Sequence, residues 1–226
     1  MRIISWNCNG AFRKKYPSLE GFEADIYIIQ ECENPIVTED NGYQRFAKNH
    51  LWIGDKNKGL GIFAKENIVL KDNQWDDFGL EWYISCTINE KLTVLGVWGT
   101  ENYIKDIYVY LQIYKEKLDK LSTILVGGDF NSNCCWDKKN KRRTHAAVVQ
   151  QLADWGLSSC YHEITHEHQG HESQPTFYHY RNKDKFYHIG YFFYNKDKIK
   201  AFDIGQFHDW ISLSDHMPVL LDIDDF

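Results

Sequence analysis

Two polar side chains, two residues apart, close the apolar run Ile124-Leu-Val-Gly-Gly-Asp129-Phe-Asn131-Ser132. In an extended chain, residues i and i+2 project to one side, so Asp129 and Asn131 would present a carboxylate and an amide to a common point. That pair suits holding and deprotonating a water beside a phosphorus. Asp, Asn and Gly also favour turns, so the stretch taken alone reads equally well as a strand followed by an Asx turn. Similar groups recur where other apolar runs stop or start: Asn7 and Asn9 in Trp6-Asn7-Cys8-Asn9-Gly10, Glu31 after Asp25-Ile-Tyr-Ile-Ile-Gln30, and Asp215-His216 just ahead of residues 218–223. An acid, an orienting amide, a carboxylate for a hard cation and a histidine, brought to one sheet edge, suit metal-assisted hydrolysis of a phosphoester.

The elements that must position these groups follow from periodicity. Residues 2–6 and 25–32 read as buried strands, and 43–46, 51–53, 60–64, 67–70, 82–88 and 92–98 as a succession of short ones between Gly, Asn and Asp clusters. A short helix is expected over 17–24. Ile104, Ile107, Tyr108, Leu111, Tyr114, Leu118 and Leu121 recur at helical spacing, which predicts a helix over 103–121 capped by Asn102. Another is expected over 144–155, ending at Gly156. Residues 161–180 read as an irregular loop, and 187–194 and 218–223 as the last core strands. No repeat or linker interrupts the chain, so 1–226 is expected to form a single domain.

The 226 residues are 43% hydrophobic and 15% aromatic, with a formal net charge of −6 and a pI near 5.9. That composition is globular, and it lacks the global positive field of a basic nucleic-acid binder. A polyanion must therefore be met by local patches, such as Lys138, Lys139, Lys141, Arg142 and Arg143, or by metal ions. A charge run of this kind reads equally as solvated surface. Six scattered cysteines without a Cys-x-x-Cys pair, and no signal-like N-terminus, point to reduced thiols and a cytoplasmic setting. No apolar run nears the ~18 residues of a membrane helix, so no membrane partner is expected. His162-Glu163-Ile164-Thr165-His166 matches the zinc-peptidase pattern His-Glu-x-x-His, which works only where a helix places both histidines on one face. In an expected loop, a zinc metallopeptidase is the remote alternative.

In the order SWNCNG, QE, GGDFNS and SDHMPV, the whole chain resembles the endonuclease/exonuclease/phosphatase superfamily. The resemblance implies an α/β fold, a four-layer α/β/β/α sandwich of two mixed β-sheets of the DNase I-like kind. It implies a phosphodiesterase dependent on Mg²⁺, with Mn²⁺ as a substitute, acting most readily as a nuclease on DNA or RNA. Carried over by position, Glu31 is the principal metal ligand, supported by Asn7 and Asp215. Asp129 activates water, Asn131 helps position it, and His216 binds the scissile phosphate. Asn7, Trp98, Tyr103, Asn131 and His188 are the substrate-contact candidates.

Three positions depart from the family pattern. Gly190 stands where an Asp normally precedes Tyr and pairs with the active-site histidine; its loss implies a rate lower by ~10²–10⁴. Asn9 stands where exonuclease III-like members often carry Asp, and Trp98 where they carry a phosphate-contacting tyrosine. A phosphatase acting on a non-nucleic-acid ester, and a catalytically dead nucleic-acid or partner-binding module, are the alternatives.

Overall fold

The computed structural model describes residues 1–224; the last two residues of the expected 1–226 unit lie outside the described residues. Fourteen strands are found among them. They are β1 (Arg2–Asn7), β2 (Ile26–Cys32), β3 (His50–Asp55), β4 (Lys58–Ala64), β5 (Leu70–Asp72), β6 (Tyr83–Ile88) and β7 (Leu92–Trp98). Then come β8 (Ile124–Asp129), β9 (Ser158–Ser159), β10 (Phe177–Tyr178), β11 (Phe186–Tyr187), β12 (Gly190–Tyr194), β13 (Ile199–Ile204) and β14 (Val219–Ile223). One six-stranded sheet runs β13-β14-β1-β2-β4-β3, and a second runs β5-β6-β7-β8-β12-β9; β10 and β11 form a separate hairpin. Each large sheet is mixed, with β1–β2 and β7–β8 parallel and their neighbours antiparallel.

The apolar residues sort into three layers, as a four-layer sandwich requires. Ile3, Ile28 and Ile62 of the first sheet meet Val94, Leu125 and Phe192 of the second. Behind the first sheet lie Trp6, Phe12, Tyr43 and Trp210, carried partly by the helices α1 (Phe12–Lys15), α2 (Asn41–Phe46) and α7 (Phe207–Trp210). Behind the second lie Ile107, Leu111, Leu118, Val148 and Leu152, from α3 (Ile104–Ile113), α4 (Lys115–Leu118) and α5 (His145–Asp154). The α/β/β/α architecture of two mixed sheets expected from the motifs is therefore the one found.

Several expected elements differ, each for a local reason. Residues 43–46 are helical, because the Asp40 carboxylate accepts the Tyr43 N–H at 2.9 Å and caps α2. The helix expected over 17–24 is a 3₁₀ stretch, Tyr16–Phe22. The one expected over 103–121 breaks at Tyr114, whose ring stacks on Trp75 at 4.4 Å while its hydroxyl donates to the Asp76 carbonyl. Asn102 does not cap it; its amide donates to the Asp106 side chain at 3.1 Å. The strand expected over 67–70 is displaced along the chain, and β5 covers Leu70–Asp72. The strand expected over 187–194 splits into β11 and β12, and β13 lay in sequence without a strong alternation. Within the expected loop 161–180, Cys160–Thr165 forms a helix, α6, held by buried Cys160 and Tyr161.

The candidate active site

Asp129 is the last residue of β8, and two glycines bring it there. A Cβ on Gly127 would lie 2.3 Å from the Phe192 ring. One on Gly128, with φ +150°, would lie 1.9 Å from the Val97 carbonyl, so only glycine lets β8 pass its neighbours this closely. Asp129 itself is 2% exposed. The chain then turns: Asn131 has φ +46°, its N–H donates to Asp129 Oδ1 at 2.9 Å, and its amide donates to Asp129 Oδ2 at 3.2 Å and to the Gly99 carbonyl. The two side chains meet through an Asx turn rather than by strand alternation, so the turn reading and the chemical reading hold together.

Glu31 is aimed by a different device. Gln30 pairs with Leu60 and Cys32 with Gly59, so Glu31 is the extra residue of a β-bulge, with φ +63°. A bulge re-aims a side chain without ending the strand, and a non-glycine residue in the left-handed region is locally strained. Asn7, at the end of β1, ties the parts together. Its amide nitrogen donates to Asp129 Oδ2 at 2.9 Å and lies 3.4 Å from Glu31 Oε1. Its amide oxygen accepts the Asn9 N–H, and the Asn9 amide donates to Asp215 Oδ1 at 2.7 Å. Next along the chain, His216 lies with Nδ1 3.9 Å from Asp129 Oδ2 and its ring 4.6 Å from Phe177. It is fixed through its backbone: Trp6 Nε1 donates to the His216 carbonyl, and the His216 N–H donates to Ser214 Oγ, which in turn donates to the Asn7 carbonyl.

The structure thus brings together Asn7, Glu31, Asp129, Asn131, Asp215 and His216. Burial pushes the Asp129 carboxyl above its ordinary value; His216, the Asn7 amide and the Asn131 N–H pull it back, and nearby Glu31 adds to the rise. A carboxyl raised in this way is a better proton acceptor at neutral pH than an ordinary aspartate.

The donor set fits a hard divalent cation. It offers carboxylate and amide oxygens, and Mg²⁺ is usually held by one or two carboxylates together with waters and phosphate oxygens. Glu31 would hold it through its carboxylate; Asn7 would join only by turning its amide oxygen, which here accepts the Asn9 N–H, toward Glu31, with Asp215 in reach of the same network through Asn9. Among the described residues no three His, Cys, Asp or Glu side chains converge into a closed metal cage.

Gly190 begins β12 directly opposite Asp129. Its N–H and that of Ile189 both donate to Thr176 Oγ1. A Cβ there would meet Val219 and Thr176 at 3.4 Å or more, which is ordinary contact, and a void of about 10 Å³ beside it is lined by His216, Thr176 and Gln30. The position accepts a Cβ.

The substrate-contact candidates divide. Tyr103 is 51% exposed and lines a cleft of about 820 Å³ that adjoins Asn131 and also holds Trp136, Lys141, Arg142 and Arg143. Trp98 is 6% exposed and lies beneath the Lys58 ammonium, so it offers a platform rather than an open contact. His188 does not join the site. It is 3% exposed, its Nδ1 bonds the Gln174 carbonyl, and its ring packs on Tyr161 and Tyr191. Nor does the His-Glu-x-x-His stretch form a metal pair: His162 is within α6, but His166 is its left-handed cap with φ +60°. His162 is committed to Ser159 and Glu172. Lys58, bonded to Glu31 at 2.9 Å, was missed, since a lysine before Gly59 carries no signal in sequence.

No family model matches the chain. A DNA-(apurinic or apyrimidinic site) endonuclease of Dictyostelium discoideum is 25% identical over 255 aligned positions, which cover 99% of this chain and 71% of that protein. Among solved structures, a 3′ phosphatase from Neisseria bound to a product DNA hairpin superposes with a TM-score of 0.72 at 17% identity, over the full length of both chains. An AP endonuclease from Archaeoglobus fulgidus superposes at 0.68 and 16%, again over both full lengths.

Proposed function

Since this chain carries the fold and the ordered motifs of the endonuclease/exonuclease/phosphatase superfamily, we propose that it is a divalent-metal-dependent phosphodiesterase that cuts DNA or RNA by in-line attack of water. The observation that carries this is the single Asn7 amide, which links Glu31 and Asp129 from strands of two different sheets. A DNA-processing relative and the Neisseria and Archaeoglobus structures support a nucleic-acid substrate.

In this reading the Asp129 carboxylate takes the proton of the attacking water, and the Asn131 amide fixes the carboxylate's orientation. Asn7 keeps Glu31 and Asp129 apart at a set distance, which preserves both as acceptors. The His216 side chain donates to a phosphoryl oxygen as negative charge builds there. Glu31 and the Asn7 amide oxygen would hold a Mg²⁺ or Mn²⁺ ion, which would supply further positive charge to the same oxygens. Tyr103 and Trp136 stack on bases, and the cations of the 820 Å³ cleft hold the backbone. The six cysteines, all free, fit a reducing, cytoplasmic setting.

Gly190 leaves His216 with Asp129 as its nearest carboxylate, at 3.9 Å, too far for a hydrogen bond. Turnover is therefore weak as the chain stands. The test is cleavage of labelled single- and double-stranded DNA and RNA, with Mg²⁺, Mn²⁺ or chelator, by this chain and by Gly190→Asp. Metal-dependent cutting that rises in the variant supports the reading. No cutting by either favours a nucleic-acid or partner-binding module.

A further inference from the structure

Lys58 opens β4, and the residue after it, Gly59, pairs with Cys32 across the bulge that lifts Glu31 out of β2. The strand geometry thereby brings an ammonium and the bulged carboxylate to one place, 2.9 Å apart. The same ammonium lies 5.6 Å from the centroid of the Trp98 ring. An exposed lysine gains little from one ion pair, but a carboxylate on one side and an indole face on the other hold it over the cluster.

We propose that Lys58 is an exchangeable cation of the reaction centre. It balances Glu31 until a divalent ion takes the carboxylate, and it then stays over Trp98 as a second positive charge for the phosphoryl oxygens. The inference rests on the nuclease reading above and adds to it a resident competitor for the metal. Because both cations draw on Glu31, removing one strengthens the hold of the other, while substrate phosphate loses a partner.

The experiment measures Mn²⁺ affinity by electron paramagnetic resonance, and affinity for a labelled oligothymidylate by anisotropy in Ca²⁺, for the full chain, Lys58→Met and Lys58→Arg. Methionine keeps an unbranched stem over Trp98. Lys58→Met is expected to bind Mn²⁺ about three- to fivefold tighter and the oligonucleotide weaker by a similar factor, with Lys58→Arg restoring both. A lysine with a merely structural role would not move the two constants in opposite directions. Unchanged or weaker Mn²⁺ binding in Lys58→Met overturns the inference. Glu31→Gln separates the two layers of the reading. If it retains the parent's Mn²⁺ affinity, the metal site itself is misplaced. If it loses Mn²⁺ while Lys58→Met is unaltered, only the role of Lys58 falls.

Discussion

Two buried carboxylates flank the start of β12, and their surroundings drive them in opposite directions. Burial alone would raise Glu172, but hydrogen bonds from His162, the Asn133 amide and the Gly170 N–H bring it down to about 2. Asp129 has amide donors too, but they do not offset its burial, and it stays above its ordinary value. The donors to Glu172 are themselves tied down by further partners: Asn133 also donates to the His188 carbonyl and contacts the Tyr191 hydroxyl, and His162 contacts Ser159. Around Asp129 the donors are shared, one Asn7 nitrogen between two carboxylates and one histidine at 3.9 Å. A cluster closed on itself stabilises the fold, whereas one with acceptor capacity left over can bind and react.

The contrast is broken most forcefully at Asp129. Asp129→Asn is expected to lower oligonucleotide cleavage by ~10²–10⁴ with little change in the urea midpoint. A rate within a few fold of the parent would deny Asp129 the role of base. Gly190→Asp gives the next largest effect, a gain of about 10² in cleavage with kcat carrying it; a gain confined to KM would instead mean that the new carboxylate acts on substrate binding. Glu172→Gln is expected to do the reverse of Asp129→Asn. It costs about 2 kcal/mol of unfolding free energy, and what remains folded cuts at the parent rate.

The smallest effect is one of pH. Burial lowers His145 to about 3 and His188 to about 4, from 6.5. Both are neutral in the fold and take up protons more readily when unfolded, so the stability they confer is present above pH 6.5 and is lost as pH falls toward 4. Denaturant midpoints measured from pH 7 to pH 4.5 should fall, and His145→Phe should flatten that fall. An equally steep loss in the variant would assign the pH dependence to other groups. Cleavage has its own acid limb, set by Asp129: it should be lost at a pH above the ordinary aspartate range of about 3.9.

The candidate cluster was legible in the sequence because its residues sit where apolar runs stop or start, and a strand end is fixed by its own strand. Asn7, Glu31, Asp129 and His216 could be named from one-dimensional pattern for that reason. What could not be read depends on a second segment. The bulge that turns Glu31 exists only against Gly59 and Leu60, and Lys58 reaches it only through that pairing. His188 differs from a cleft residue by the Gln174 carbonyl that takes its Nδ1, fourteen positions upstream. Likewise the long helix ended early because Trp75, far back in the chain, claims Tyr114. Asp40 was a local signal, an N-cap before Asn41-Gly42, and the apparent turn there masked it.

β14 lies between β13 and β1 in the first sheet, and Arg2 is clasped by Asp222 from 220 positions away. A growing polypeptide stopped before that strand lacks the partner that β1 needs on its open side, and one stopped before residue 216 lacks His216 as well. Closure over so great a contour length is slow, and it cannot begin until synthesis has passed the final strand. Unfinished copies on the ribosome therefore carry Asn7, Glu31, Asp129 and Asn131 without the strand that completes the first sheet.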